Sequence, residues 1–402
     1  MSRFLFVVPP LAGHINPTAA ISVELAERGH EVAWVGHRVA LEPLLPAGTR
    51  IFPVADAVSE ERLRAFHERW LRLRGIAELK FFWEEFLIPL GHVMLPAVGA
   101  AIDTFVPDVI VSDQQALSGA LAARRAGLPW ATSVTTSSEL TRPLAAMPKV
   151  ESWVIECMAA FQRAHGVTDP VDLRWSDYLV MIYSTTALIG RRDGIPGHFV
   201  FPGPVLNTTL RDVAFPWDWL DPVRRTVLAS LGTLNAGAGG RFFRTLVDAV
   251  ADEADRLQLI IAAPPALIGS VPPHVLVREY VPQLSLLAKV DAVVCHGGHN
   301  TVCEALAHGL PVVVAPIRDD QPVVAAQIEC AGAGVQVRFA HVRTPELREA
   351  IRAVLDNPAY RSAARQVQAS FEAAGGAVAA ADHLAKLADR SLAQARHGGN
   401  HG

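Results

Sequence analysis

Short apolar runs alternate with amphipathic stretches along the chain, and the alternation starts afresh in the second half. In the first half, the run Phe4–Pro9 is followed by helical periodicity and then by the run Glu31–Val35. A strand, a helix and a strand in about 35 residues form one βαβ unit of a parallel sheet. A later run, Val106–Ser112, predicts another strand, followed by a helix that stops at Gly127.

The first helix is predicted to begin at Asn16, after a loop over residues 10–15. Asn16 can cap a helix, Pro17 suits a first turn, and Gly29 is placed to end the helix. His14 is therefore expected on a loop at the carboxyl end of the first strand.

The second half repeats the order of strand and helix. Strands are predicted at five runs: Thr226–Leu231, Leu259–Ala262, Val275–Glu279, Ala292–Cys295 and Pro311–Ala315. Helices are predicted from Arg241 and from the glycines after Cys295 to about Ala307. The pattern predicts an α/β fold with two Rossmann-like, doubly wound domains.

The stretch between the halves is rich in proline, tryptophan and aspartate and has no periodicity, which is typical of a linker. We predict an N-terminal domain over 1–205, a linker over 206–222 and a C-terminal domain over 223–376. A helix over 377–396 follows a glycine pair, and it could pack on either domain, including back on the N-terminal domain. Residues 397–402 are expected to form a frayed tail.

Composition narrows the classes of function. Half of the 402 residues are hydrophobic, 19% are charged, and the formal net charge is −4, so a folded chain without a basic nucleic-acid surface is expected. The four cysteines form no C-x-x-C pair, and neither a zinc knuckle nor a disulfide framework is indicated. The first apolar run is too short for a signal peptide, and no uninterrupted apolar stretch reaches the length of a membrane span. We expect a cytoplasmic protein with no integral membrane segment.

A phosphate site is predicted where a buried strand meets the run His296-Gly297-Gly298. Glycines allow a phosphate to approach the backbone, and the free N–H groups of a helix start attract anions. Asn300 and Thr301 add side-chain donors, and Glu304 lies one turn further on, where a carboxylate can accept from sugar hydroxyls. The Walker loop, the G-x-G-x-x-G fingerprint after the first strand and a D-x-D metal motif are all absent from the sequence.

These motifs together resemble family 1 glycosyltransferases of the bacterial natural-product type, including macrolide and carotenoid glucosyltransferases. The run from His296 to Glu304, then Gly309-Leu310-Pro311 and Asp319-Asp320-Gln321-Pro322, is similar to their donor signature. Tyr280-Val281-Pro282-Gln283 resembles its opening, and Gly13-His14-Ile15-Asn16-Pro17 resembles their N-terminal histidine motif. The resemblance spans nearly the whole chain. It implies the GT-B fold, in which two Rossmann-like domains face each other across a cleft.

The resemblance also implies a nucleotide-sugar site on the C-terminal side. Tyr280 would stack on the base, Gln283 would meet the base or ribose, and Glu304 would take the ribose hydroxyls. The diphosphate would lie against His296, Asn300 and Thr301. Asp320 and Gln321 would bind the transferred sugar, which weakly favours a fully hydroxylated hexose. The complete donor set is Ser230, Gly232, Thr233, Tyr280, Val281, Gln283, His296, Gly298, Asn300, Thr301, Glu304, Asp320 and Gln321. His299 receives no role.

The reaction expected is an inverting transfer in which a base removes the proton of the acceptor hydroxyl. Histidine suits this near neutral pH, and a carboxylate can orient and stabilise the imidazolium that forms. His14 is the predicted base and Asp113 its partner. Asp108 is the competing acid, but it precedes the strand and should lie at the opposite end of the sheet.

One segment of the first half is a candidate for the acceptor site. A segment over residues 70–87 is dense in large apolar side chains, most of which we expect in the core, with a few facing a lipophilic acceptor. UDP or dTDP, and transfer to oxygen, nitrogen or carbon, are not separated by the sequence. No resident cofactor, no metal and no nucleic-acid partner are expected, and a homodimer is left open. The alternatives are a sugar-nucleotide epimerase of GT-B shape and a non-catalytic glycosyltransferase-like partner protein.

Overall fold

A computed structural model of the protein describes residues 1–55, 66, 68–191, 193–206, 213–232 and 239–398, with side chains to residue 393. Contacts divide the chain into two units. Unit 1 comprises Met1–Tyr183, Gly194–Asn207 and Gly375–Gly402, and unit 2 comprises Ser184–Asp193 and Thr208–Ala374. The chain therefore crosses between the units several times rather than once at the predicted linker.

Both units contain a parallel β-sheet. The strands of unit 1 are β1 (Arg3–Val7), β2 (Glu31–Gly36), β3 (Arg50–Pro53), β4 (Val109–Asp113), β5 (Trp130–Val134), β6 (Leu179–Ile182) and β7 (Phe199–Val200). Those of unit 2 are β8 (Arg225–Ser230), β9 (Leu257–Ala262), β10 (Val275–Arg278), β11 (Ala292–Cys295), β12 (Val312–Val314) and β13 (Gly334–Gln336). The orders are β3-β2-β1-β4-β5-β6-β7 and β10-β9-β8-β11-β12-β13. Both contain the Rossmann order, so the predicted α/β fold class is confirmed.

Helices connect the strands on both faces of the sheets. They are α1 (Ala12–Glu27), α2 (Arg38–Leu41), α3 (Ile76–Phe105), α4 (Leu117–Ala126), α5 (Pro148–Ala164), α6 (Thr186–Ile189), α7 (Gly240–Val250), α8 (Gln283–Leu287), α9 (His299–Ala307), α10 (Gln321–Cys330), α11 (Thr344–Asp356), α12 (Pro358–Ala374) and α13 (Gly376–Gly398). Residues Phe82–Leu87 form a π-helical stretch inside α3.

Helix α1 begins four residues earlier than predicted, at Ala12 rather than Asn16. The backbone N–H groups of His14 and Ile15 reach the Leu11 carbonyl at 2.9 and 3.1 Å, so a turn closes before Pro17 is reached. This turn does not need the N–H that proline lacks. His14 consequently lies in the first turn of a helix and not on a loop.

Two predicted strand ends also shift. The strand predicted from Val106 begins at Val109, because Val106 ends α3 in the left-handed region with φ 52°. The first strand stops at Val7, before the two prolines. The Val109 strand ends on Asp113, so the candidate acid is itself the last strand residue.

Helix α13 packs on unit 1, which is one of the two placements that the sequence left open for the C-terminal helix. Ala380, Ala381 and Leu384 are fully buried in the same cluster as Phe4 and Leu25. Arg28, directly after α1, pairs with Asp382 on α13 at 2.5 Å. The end of the chain thus completes the hydrophobic layer on one face of the first sheet.

The described boundary segments depart from the predicted domain limits. Residues 184–193 group with unit 2, although they fall inside the predicted N-terminal domain. In the predicted linker, residues 207–212 lie outside the described residues. Trp219 belongs to unit 2, where its carbonyl accepts from the Gln258 amide at 2.7 Å. In the predicted tail, residues 399–402 also lie outside the described residues.

By length and composition, helix α3 is apolar enough to cross a membrane, and no other helix in the described part of the chain is. Met94, Val98 and Ala101 are fully buried in the core of unit 1. In the predicted acceptor segment, Phe81, Trp83 and Leu87 are buried as well, and Leu79, Phe82 and Phe86 pack half-buried against the same core. Most of that segment is therefore core, as expected.

Candidate active site

Three neighbouring strands of unit 1 place polar side chains at one edge of the sheet. His14 follows β1, Asp113 ends β4, and Thr135 follows β5. These strands are adjacent and parallel, so their carboxyl ends meet. In open α/β sheets, ligands bind at this edge.

The three side chains form a closed hydrogen-bonded cluster. His14 Nδ1 lies 3.0 Å from each carboxylate oxygen of Asp113 and 2.7 Å from Thr135 Oγ1. Thr135 donates to Asp113 Oδ2 at 3.2 Å, and the Gln115 backbone N–H donates to Oδ1 at 2.8 Å. The Asp113 side chain is fully buried, whereas His14 keeps 14% of its side chain exposed. A carboxylate only accepts, so His14 carries its proton on Nδ1 and leaves Nε2 as the basic nitrogen.

Asp108 lies at the opposite end of the sheet from this cluster, where the sequence places it. Its Oδ2 accepts from the backbone N–H of Arg3 at 2.7 Å, at the amino end of β1. This carboxylate therefore secures the start of the first strand, and Asp113 is the acid that the structure brings to His14.

Thr135 was not among the predicted site residues. The signal available in the sequence was the hydroxyl-bearing run Thr135-Thr136-Ser137-Ser138 directly after a buried strand. Tyr183, at the end of β6, lies in the same region. Burial raises the pKa of its phenol above its usual range, the Ser133 hydroxyl opposes this, and the Asp113 charge adds to it. Tyr183 is thus a neutral group near the acid.

The candidate donor site of unit 2 is shaped by glycines. Gly297 has φ 88°, and a Cβ there would lie 2.9 Å from Val314 Cγ1. A Cβ on Gly298 would lie 2.5 Å from His296 Nε2, and one on Gly232 would lie 2.9 Å from His296 Cε1. Only glycine fits at these positions, because Val314 occupies the space that a side chain would need at Gly297, and the His296 ring occupies it at Gly232 and Gly298.

His296 follows β11 and is buried among these glycines. Burial lowers the pKa of its imidazole to about 4, and the nearby Asp320 carboxylate only partly opposes this. The ring is uncharged at neutral pH, so it can offer a phosphate a hydrogen bond but no positive charge.

Asn300 and Thr301 lie half-buried in the first turn of α9, next to Gly298 at its N-cap. Ser230 ends the adjacent strand β8, and its Oγ accepts from the Gly232 N–H at 3.3 Å. The structure thus brings the predicted phosphate residues to one strand edge. Thr233 lies outside the described residues.

Gln283 and Glu304 contact each other, although they are 21 residues apart. Gln283 Nε2 donates to Glu304 Oε2 at 2.5 Å. Burial raises the pKa of Glu304, and the hydrogen bond from Gln283 opposes this. Tyr280 is 65% exposed and Val281 is half-buried, so the tyrosine ring presents a free face.

The two residues predicted to bind the sugar, Asp320 and Gln321, lie next to each other at the start of α10. Gln321 is buried, and its Oε1 accepts from the backbone N–H groups of Ile317 and Arg318 at 2.8 and 3.1 Å. Its oxygen is therefore committed to the loop, and only its amide nitrogen could serve a sugar. Asp320 is half-buried directly before α10. His299 is buried, with its Nε2 3.5 Å from Cys303 Sγ.

No group of three or more histidine, cysteine, aspartate or glutamate side chains within the described residues could hold a metal ion.

The chain is similar to known proteins over nearly its whole length. Residues 245–386 match the family model described as erythromycin biosynthesis protein CIII-like, C-terminal domain. The chain is 29% identical to 4'-demethylrebeccamycin synthase of Lentzea aerocolonigenes, over 96% of this chain and 99% of the relative. It is 27% identical to demethyllactenocin mycarosyltransferase of Streptomyces fradiae, over 96% and 87%. The crystal structure of glycosyltransferase VinC in complex with dTDP has a TM-score of 0.74 at 21% identity, covering 96% of this chain and all of VinC.

The fold is therefore the GT-B fold, and the resemblance to bacterial natural-product glycosyltransferases is confirmed. The protein is a glycosyltransferase.

Proposed function

We propose that this enzyme moves a hexose from a UDP- or dTDP-sugar to a hydroxyl or carbon of a lipophilic natural product, with inversion at the anomeric carbon. His14 acts as general base and Asp113 assists it. The reaction needs no metal and no resident cofactor, and it takes place in the cytoplasm. The donor occupies the glycine-shaped site of unit 2, and the acceptor binds mainly to unit 1.

The His14–Asp113 pair is the observation that carries the proposal. A carboxylate 3.0 Å from Nδ1 holds the ring in the tautomer whose Nε2 can accept a proton. As the acceptor attacks, its O–H proton passes to Nε2, its oxygen bonds to the anomeric carbon, and the bond from that carbon to the diphosphate breaks. The buried Asp113 charge stabilises the imidazolium that results. General-base assistance of this kind contributes roughly 10²- to 10⁴-fold in rate.

The leaving nucleoside diphosphate gains negative charge during this step. In unit 2, the N-terminal turn of α9 offers backbone N–H groups, and Asn300 and Thr301 add polar side chains. His296 contributes a neutral donor. Such donors stabilise the developing charge without needing to reorganise.

We expect Tyr280, Gln283 and Glu304 of unit 2 to contact the nucleobase and the ribose of the donor. The free face of Tyr280 suits stacking on a nucleobase. Glu304, already holding Gln283, can accept from ribose hydroxyls with its second oxygen. The dTDP in the related VinC crystal structure supports including dTDP beside UDP in any screen.

Nucleotide binding is tested first, by thermal shift with UDP, dTDP, UDP-glucose, dTDP-glucose and NAD. A ligand that binds the native state raises the Tm by mass action. We expect a shift with UDP or dTDP and none with NAD. The preferred sugar nucleotide is then incubated with a panel of aromatic and macrocyclic alcohols, and the anomeric configuration of the product is read by NMR.

A β-linked product from an α-configured donor supports inversion, and a retained α-linkage contradicts it. Epimerised sugar nucleotide formed without any acceptor would replace the proposal with an epimerase. No nucleotide binding and no transfer would favour a non-catalytic partner protein.

A further inference from the structure

The oxygen atom closest to His14 Nδ1 is the Thr135 hydroxyl and not a carboxylate oxygen. Thr135 Oγ1 lies at 2.7 Å, against 3.0 Å for each oxygen of Asp113. Both Asp113 oxygens are engaged elsewhere too, Oδ1 by the Gln115 N–H and Oδ2 by Thr135 itself. Thr135 is 4% exposed, so water does not compete freely for its hydroxyl.

We infer that Thr135 is a positioning residue for the base, whose hydroxyl accepts the Nδ1–H of His14 while donating its own proton to Asp113. This inference rests on the proposed function, because it concerns how His14 is kept ready to remove a proton. Thr135 does not touch the reacting atoms in this assignment and acts through the other two side chains.

The donor and the acceptor of each hydrogen bond in the cluster follow from counting protons. An ionised carboxylate has none to give, so the hydrogen bond between Thr135 and Asp113 must use the threonine proton. The threonine oxygen then has only lone pairs for His14, and the proton between them must belong to Nδ1. Two acceptors therefore hold the same N–H, one charged and one neutral.

This arrangement restricts the ring in a way that Asp113 alone does not. Nδ1 is equidistant from the two carboxylate oxygens, so the carboxylate by itself leaves the imidazole free to swing between them. The threonine oxygen breaks this symmetry. A β-branched side chain has restricted χ1, and this one is buried directly after a strand, so its oxygen has a defined direction.

The test is the pair Thr135→Val and Thr135→Ser in the full-length enzyme, with a sugar nucleotide and acceptor that the wild type uses. Valine keeps the shape and removes the hydroxyl, whereas serine keeps the hydroxyl. We expect Thr135→Val to lower kcat about 10- to 30-fold, as for loss of one hydrogen bond to an ionised group, with the donor KM unchanged. Thr135→Ser should recover most of the lost activity.

Thr132→Val is the matched control. Thr132 is fully buried on β5, three residues before Thr135, and its Oγ1 accepts from the Ser176 N–H at 2.9 Å. We expect this variant to lower the Tm and leave kcat within about twofold, so a general loss of packing is distinguished from a loss at the base.

A double-mutant cycle with Asp113→Asn gives the decisive readout. If Thr135 acts through the His14–Asp113 pair, Thr135→Val should cost little further activity once Asp113 is replaced, and the two effects should not multiply. Three outcomes overturn the inference: unchanged kcat in Thr135→Val, a rise in donor KM alone, or fully multiplicative effects in the cycle. Absence of transfer by the wild type would instead contradict the proposed function.

Discussion

Each unit carries a histidine at the carboxyl edge of a sheet, but the two histidines have opposite surroundings. In unit 1, His14 faces a buried carboxylate and a hydroxyl within 3.0 Å. In unit 2, His296 is enclosed by glycines, and burial lowers its pKa to about 4. One ring contacts an acid, and burial keeps the other ring from gaining a proton.

The two sheets make this comparison direct, because their strand orders correspond. Strands β1 and β4 of unit 1 occupy the places of β8 and β11 in unit 2. At the end of the β4 position, unit 1 has Asp113, whereas unit 2 has Cys295 and then His296. The same backbone arrangement thus carries an acid at the end of a strand in unit 1 and glycines after the corresponding strand in unit 2, which fits the proton transfer and the anion binding proposed for them.

Replacing His14 should have the largest effect on this contrast. His14→Ala removes the base but nothing from unit 2, so transfer should fall by about 10³-fold or more while UDP or dTDP still raises the Tm. Product formation and thermal shift are measured on the same preparation. His92 is an exposed histidine of unit 1, and His92→Ala is the control. Near-wild-type turnover by His14→Ala would contradict the proposal that His14 is the general base.

Replacing Asp113, the acid that contacts His14, should have the next largest effect. Asp113→Asn keeps the shape but removes the charge that stabilises the imidazolium, and we expect kcat to fall by about 100-fold. Asp108→Asn is the matched control at the other end of the sheet. It should weaken the bond to the Arg3 N–H and lower stability by about 1 kcal/mol, with kcat retained. Equal kcat losses in both variants would contradict the distinction between the two acids.

Acidification should destabilise unit 2 through His296. The unfolded state takes up a proton below about pH 6.5, whereas the folded state resists until about pH 4, so stability falls as the pH drops between these values. Between pH 7 and pH 5 the loss is about 2 kcal/mol, roughly 30-fold in the folding equilibrium. Denaturant titrations at both pH values measure it.

His296→Gln removes this contribution and should therefore show a smaller pH dependence than the wild type. Other histidines with lowered pKa, such as His308 and His383, remain in both proteins and cancel in the difference. Identical pH dependence in the two proteins would show that His296 is not held uncharged by burial.

The smallest effect is expected from replacing Gly298 in the candidate donor site of unit 2. Gly298→Ala would bring a Cβ within 2.5 Å of His296 Nε2, and the ring must shift. We expect UDP or dTDP affinity to fall by about tenfold, as for an overpacked site, with the His14 cluster untouched. Gly197→Ala is the control, since its Cβ would meet nothing within 4 Å. Unchanged affinity in Gly298→Ala, measured by calorimetry, would argue against a close ligand there.

Much of the architecture followed from local pattern. Alternating apolar runs predicted the parallel sheets, and the run Ala292–Cys295 was predicted with the bounds that the structure shows. The start of α1 was wrong, since the turn at Leu11 closes through backbone bonds that carry no side-chain signal. The strand predicted from Val106 begins three residues later, at Val109, because Val106 takes a left-handed conformation that is unusual for a β-branched residue.

The sequence by itself determined which residues could carry the chemistry, because hydrophobic periodicity sets the strands and parallel strands place their ends at one edge. Together with the resemblance of the motifs to a known family, this pattern predicted His14, Asp113 and the His296 glycines as site residues. Only the tertiary structure decided how these residues are paired. Thr135 contacts His14 although the two lie 121 residues apart in the chain. The side-chain oxygen of Gln321 accepts a hydrogen bond from the loop before α10. Such contacts depend on distances of a few tenths of an ångström between segments far apart in the chain, which spacing along a sequence does not encode.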